Sequence, residues 1–279
     1  MTSKQRNYLF RLPAFLLMIF SISLMISCGG ESKEKANDVP NDSLTKVKPK
    51  KKVMYSLPSP SDIASVLVDD PLLKFNPDIV NPSSNANKYS SDKIIAINLG
   101  IYTADLAYSS FFEQKEVSKS YFGVTKQMAE KLNIVNSMGE KHMKMMSDKK
   151  LDKKMMMKLI NESFIETDAY LLKNDRQDIM TTIIVGGWLE AEYIATRFAE
   201  GSIKKNPELA KRIIEQGFIV ELMTKVFEES KGDDKFLADL KLDISKIKKV
   251  YDKLYEAETE ENFGELCELI KSIRNKYTV

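Results

Sequence analysis

The chain has 279 residues, 43% of them hydrophobic, and 42 basic against 40 acidic side chains give a formal net charge of +2. A balance this even offers no electrostatic case for a nucleic-acid partner or an anionic membrane surface. There are two cysteines, Cys28 and Cys267, so few that a packed core rather than a disulfide framework has to stabilise the fold.

The N-terminus carries Lys4, Arg6 and Arg11 and no acidic residue, followed by an apolar stretch from Leu12 to Phe20. That stretch is shorter than the roughly 20 residues a membrane-spanning helix needs. It is interrupted by Ser21 and Ser23 and ends at Leu24-Met25-Ile26-Ser27-Cys28. The pattern reads as a processing segment rather than fold. It resembles a bacterial lipoprotein signal, in which the cysteine thiol is lipidated and becomes the first residue of the mature protein. Met25 departs from the leucine such signals prefer at that position. The alternative is an ordinary secretory signal cut near Ser27. On the lipoprotein reading, residues 1–27 are the signal peptide and Cys28 is the lipidation site. The mature chain then has 39 basic and 40 acidic residues. Two or more acyl chains anchor it stably to a membrane face, each buried methylene contributing about 0.8 kcal/mol.

Residues 28–52 contain the lipidated cysteine and a stretch of Gly, Ser, Lys, Glu, Asn, Asp and Pro ending in Lys50-Lys51-Lys52. So few apolar side chains cannot offset the entropy of ordering the backbone, which predicts a disordered tether. A helical domain is expected over 53–279. Ser59 or Ser61 is placed to cap a helix at about 62–69, with Pro60 near its first turn. Pro71, Pro77, Pro82 and the surrounding Asn and Ser predict one or two short helical turns and irregular chain wrapping the body over 71–91.

From Ser91 onward apolar residues recur at three- and four-residue spacing, and no segment alternates as a strand does. Helices are expected at about 92–113, 116–133, 136–147, 151–173, 175–200, 207–230, 234–256 and 262–276. Asn206 is placed to cap the helix that Pro207 begins. Short connections favour antiparallel neighbours, so the fold class is all-α, a multi-helix bundle. No fixed-period repeat runs through the chain.

Two helices read as core. Between Ile94 and Phe112 the one formally charged residue is Asp105, and a helix with so little charge around it is buried. At 100° per residue, Asn98, Tyr102, Asp105 and Ser109 line one face. The second helix, Ile179 to Leu189, is uncharged and leads into Glu190, which shares a face with Tyr193 and Arg197. Gly186-Gly187 costs this helix roughly 1 kcal/mol per residue relative to alanine. A close crossing of another helix, at Gly100, is the expected compensation; a ligand against bare backbone is the alternative. A third helix brings Asn161 and Asp168 inward beside Met157, Phe164 and Leu172. Trp188 lies about 160° from Glu190 and reads as packing.

Asn98, Tyr102, Asp105, Asn161, Asp168, Glu190 and Arg197 are therefore candidate ligand-binding residues. They are read first as a satisfied polar network in which Arg197 pairs a carboxylate bidentately. The competing reading is an interior pocket for an amine, sugar or peptide terminus. A metal or catalytic site has little support. The one histidine, His142, sits in Lys141-His-Met-Lys144, and no zincin, nucleophile-elbow, phosphate-loop or dinucleotide fingerprint occurs. No cofactor and no enzymatic activity are expected. The methionines at 143, 145, 146 and 155–157 read as gap fillers rather than a copper patch, and Cys267 as a buried small hydrophobe.

Ser27-Cys28-Gly-Gly, Tyr55-Ser-Leu-Pro-Ser-Pro, Asn98-Leu-Gly-Ile-Tyr-Thr-Ala-Asp-Leu and Gly186-Gly-Trp-Leu-Glu together resemble an uncharacterised all-helical lipoprotein family of Bacteroidota type. The resemblance implies a lipid-anchored body in the cell envelope, at the outer membrane, facing periplasm or surface. It supplies no activity. The function expected is a non-enzymatic binding or scaffold module whose partner is an envelope protein or small ligand, with a receptor using the interior polar residues as the alternative.

Overall fold

Ser91 is extended, and its hydroxyl accepts from the Ile94 N–H, so the first helix begins where a side-chain cap replaces a missing backbone acceptor. In the computed structural model, residues 73–134, 152–229 and 234–278 are described. Among them are eight helices and no strand: α1 (Asp92–Phe111), α2 (Lys115–Lys131), α3 (Lys153–Lys173), α4 (Gln177–Phe198), α5 (Pro207–Glu215), α6 (Gly217–Glu229), α7 (Lys235–Glu256) and α8 (Glu260–Tyr277). The all-α bundle expected from the periodicity is present. The helices expected at 62–69 and 136–147, like the signal, Cys28, the tether and His142, lie outside the described residues.

Starts and stops follow local chemistry. Asp152, Asn206, Asp234 and Thr259 cap α3, α5, α7 and α8 through side-chain oxygens. Four helices end on a non-glycine residue in the left-handed region: Glu113 (φ 56°), Asn133 (φ 55°), Asp175 (φ 55°) and Glu200 (φ 51°). At the first three the next N–H reaches five residues back, Gln114 to Ser109, Ile134 to Ala129 and Arg176 to Leu171, which closes the last turn.

The helix expected over 207–230 is two helices. The break falls at Gln216, and its cause is Gly217: a Cβ there would lie 2.2 Å from Tyr255 Oη and 2.8 Å from Tyr251 Cδ1. The backbone gives way to admit the two tyrosines. Their hydroxyls then donate to the carbonyls of Ile213 (3.1 Å) and Ile214 (3.4 Å) in the last turn before the break.

The packing centre is the crossing of α1 and α4. A Cβ on Gly100 would lie 2.0 Å from the Ile183 carbonyl oxygen, and one on Gly186 the same 2.0 Å from that of Ile97. Gly186 is thus explained by backbone on backbone, as expected, with no ligand needed to account for it. Trp188 is fully buried, also as expected. α2 packs on α1, α3 leans on α1 and α4, and α8 packs on α4 and on α7, which also carries α6. The segment before α1 has two 3-10 turns, Pro77–Ile79 and Ser83–Lys88, and lies against α1 and α2 as a strap. Among the described residues no helix is long and apolar enough to cross a membrane.

Candidate functional site

The polar line on α1 exists as the spacing requires: Asn98, Tyr102, Asp105 and Ser109 are all fully buried. What faces three of them is the strap. Asp105 Oδ2 accepts the Asn81 N–H at 3.2 Å, and Tyr102 Oη donates to the Pro82 carbonyl at 2.8 Å. Asn98 accepts from the Asn81 amide at 3.4 Å and donates to the Tyr277 carbonyl of α8 at 2.8 Å. Tyr121 of α2 donates to the Asn81 carbonyl at 3.1 Å, and Tyr108 Oη accepts the Asn76 N–H at 2.8 Å. Asn81 is itself fully buried, and its amide also donates to Tyr89 Oη at 3.2 Å. Burial and the nearby Asp105 push the Tyr121 phenol up; for Tyr108, burial lifts it to about 12, against the bond from Asn76.

Glu190 is fully buried and held bidentately, but by Arg274 rather than Arg197: Nε to Oε2 and Nη2 to Oε1 are both 2.8 Å. Arg274 is 8% exposed, and its guanidinium lies 4.6 Å from the Tyr193 ring centroid. Burial disfavours its charge, yet Glu190 and then Asp105 raise it above the ordinary arginine value. Arg197 is exposed. It shares the Glu190 face, but that face rises out of the core along α4: Glu190 is buried, Tyr193 half-buried and Arg197, in the last turn, in solvent.

Asp105 completes the cluster. Burial first, then the neighbouring Glu190, raises its carboxyl well above the usual range, against the opposing pull of Arg274 and the Asn81 N–H. Its Oδ1 accepts no hydrogen bond. A proton there makes it a donor toward Glu190, its hydrogen-bonding neighbour. The centre then holds one guanidinium, one carboxylate and one neutral carboxyl, and its charge closes without a ligand cation.

Asn161 and Asp168 stand half-buried on α3, each with a partner, rather than in this interior cluster. The inward stripe of α3 is Leu159, Ile160, Ser163, Phe164 and Thr167. Asn161 and Asp168 sit about 100° around the helix from its centre, so the expected register was off by more than a quarter turn.

A second buried group was not anticipated. Glu192 and Tyr251 are buried, and Tyr251 Oη lies 2.5 Å from Glu192 Oε1 and 3.1 Å from the Ile213 carbonyl. One phenolic proton cannot serve both acceptors. Burial lifts the Glu192 carboxyl to about 8, against the bond to Tyr251. Protonated Glu192 donating to Tyr251, which donates to Ile213, gives each hydroxyl an acceptor and leaves Glu192 Oε2 buried without a partner. Cys267 is buried as expected, and burial followed by Glu192 pushes its thiol up to about 12. Asp243, also buried, is drawn below its ordinary value: burial is outweighed by Lys276, Lys246 and Tyr277.

On another side of α1 lies an apolar cleft with a cavity volume of about 60 Å³. α1 contributes Leu99, Thr103 and Leu106, α2 contributes Phe122, Thr125 and Ala129, and the inward stripe of α3 closes the third side. Ile183 of α4 and Ile134 complete it. Among the described residues no group of three or more His, Cys, Asp or Glu is arranged to hold a metal ion.

These elements define an all-helical bundle with a buried, internally compensated polar centre. No protein-family model, curated protein or solved structure matches the chain.

Proposed function

We propose that the chain is a membrane-anchored envelope lipoprotein whose helical body is a non-enzymatic binding or scaffold module, held to the outer membrane through acyl chains on Cys28 and engaging an envelope protein or a small ligand. The observation that carries the reading of the body is the enclosure of its reactive groups. Asp105, Glu190 and Arg274 are buried, and they bond to one another and to the strap. Carboxylates committed in this way act on register and stability, not on a substrate. The anchor is supported by the basic start, the short apolar stretch and Cys28 in the sequence.

Feeding cells a labelled fatty acid tests the anchor. The label is expected on the wild-type chain and absent from Cys28→Ser, which leaves the membrane fraction. Label retained by the variant refutes the anchor. For the body, Asp105→Asn should alter thermal stability alone; a variant as stable as wild type that has lost a ligand response would place a receptor site at Asp105.

A further inference from the structure

We propose that the cleft between α1, α2 and α3 is a binding site for one unbranched hydrocarbon chain whose polar head stays outside. Its shape is the first argument. Leu99 to Leu106 spans about 10 Å of α1, and Leu159 to Thr167 about 12 Å of α3, at 1.5 Å per residue. Two such stripes facing each other make a slot, which suits a linear chain better than a compact ring system.

The lining chemistry is the second. Among the described residues none that lines the cleft is ionisable. The Thr103 and Thr125 hydroxyls donate to the carbonyls of Leu99 (2.7 Å) and Phe122 (2.9 Å) within their own helices, so they ask nothing of a ligand. A charged headgroup drawn into this slot would have no counter-ion, and burying it costs several kcal/mol. Methylenes entering it lose only water.

The third is the way the slot is walled. α3 buries four of its 21 residues, Leu159, Ile160, Thr167 and Leu171, whereas α4 buries 16 of 22. The α3 wall is the one with least packing to lose when the slot widens. The volume of about 60 Å³ admits several waters or the terminal part of an alkyl chain, not a whole lipid. The inference rests on the envelope-lipoprotein reading only for the source of the ligand: a body at a membrane face is surrounded by acyl chains.

The test uses the full-length chain carrying Cys28→Ser, so that no attached acyl group competes. It is titrated with 1-decanol and 1-butanol, whose heads are uncharged, and followed by thermal unfolding and calorimetry. One saturable site is expected for decanol, with binding at least tenfold weaker for butanol. Ser163→Phe and Thr103→Phe fill the slot from opposite walls. Each should weaken decanol binding at least tenfold while far-ultraviolet dichroism stays that of the folded chain. If one variant fails to fold, the other still decides. Absence of saturable binding, as when the slot is filled by the chain's own residues, overturns the proposal, and so does binding undiminished by the variants. Failure of the fatty-acid labelling would remove the anchor and leave this titration unaffected, so the two readings fall separately.

Discussion

Replacing Glu192 by glutamine tests the buried carboxyl most directly. In the folded chain this carboxyl releases its proton at about 8; in the unfolded chain it does so near 4.3. Between those values the folded state holds a proton that the unfolded state has lost. Stability therefore falls as pH rises through this window, by about 1.4 kcal/mol per pH unit. Below the unfolded value both states are protonated and the slope vanishes; above about 8 both have lost the proton and it vanishes again. From pH 5 to pH 8 this one group should remove about 4 kcal/mol. The glutamine variant has no such proton. Its side-chain amide can still donate to Tyr251, and the spare N–H costs about 1 kcal/mol. The variant is thus expected to be slightly less stable than wild type at pH 5 and clearly more stable at pH 8. Urea unfolding of both chains at pH 5, 6, 7 and 8 measures this. Asp105 titrates in both, so its contribution cancels in the difference. Two stability curves that run parallel across the range would refute a neutral Glu192.

Gly100→Ala or Gly186→Ala should cost more than the roughly 1–3 kcal/mol usual for overpacking, because the added methyl meets backbone that no rotamer change can move; chemical denaturation reads this, and a cost under about 1 kcal/mol would refute the crossing. Arg274→Met should cost about 3–5 kcal/mol by leaving Glu190 buried and unpaired. Adding Glu190→Gln should recover much of that loss, and a double-mutant cycle with no coupling would show that the pair does not act as one. Glu113→Gly should stabilise the chain by about 0.5–1 kcal/mol, since glycine takes the left-handed position without the Cβ penalty that exceeds its own entropy cost. A lower melting temperature would show that the Glu113 side chain contributes more than the strain removes.

The helices were legible because period and capping are local. Ser91, Asn206 and Asp234 begin helices where their side chains meet free N–H groups, and the α1 polar face follows from 3.6 residues per turn. The Gly186–Gly100 crossing was legible too, since two glycines inside a buried helix need a reason. Partner choice was not, because nothing local specifies which helix meets which. Arg197 had the right face of α4 but the wrong depth. Arg274 had a usable signal: it sits on the α8 stripe of Leu266, Ile270, Ile273 and Tyr277, all buried, where an arginine needs a carboxylate. The Gln216 break lay hidden because Gly217 is explained only by Tyr251 and Tyr255, some 40 residues away. On α3 the Asn–Asp spacing was real, but apolar residues on either side left two possible inward faces, and packing chose the one through Ser163.

The polar line on α1 and the irregular strap explain each other. A strap rich in Asn and Pro has no ladder of its own, so its backbone groups must find acceptors and donors on whatever covers them. Around Asn81 and Pro82 they find Asp105, Tyr102 and Tyr121, and at Asn76 they find Tyr108. An all-apolar α1 would pack just as densely, yet the Asn81 and Asn76 N–H groups would each be stranded at a cost of about 1–3 kcal/mol. Asp105 bears the added charge problem because its second oxygen faces Glu190, and taking a proton resolves it. The α1 residues that first suggested a ligand pocket, Asn98, Tyr102 and Asp105, are thereby accounted for by the need to hold 76–82 against a buried helix. Among the described residues no strap group enters the slot lined by Leu99, Thr103 and Leu106, and it is there that the proposed alkyl chain would meet α1.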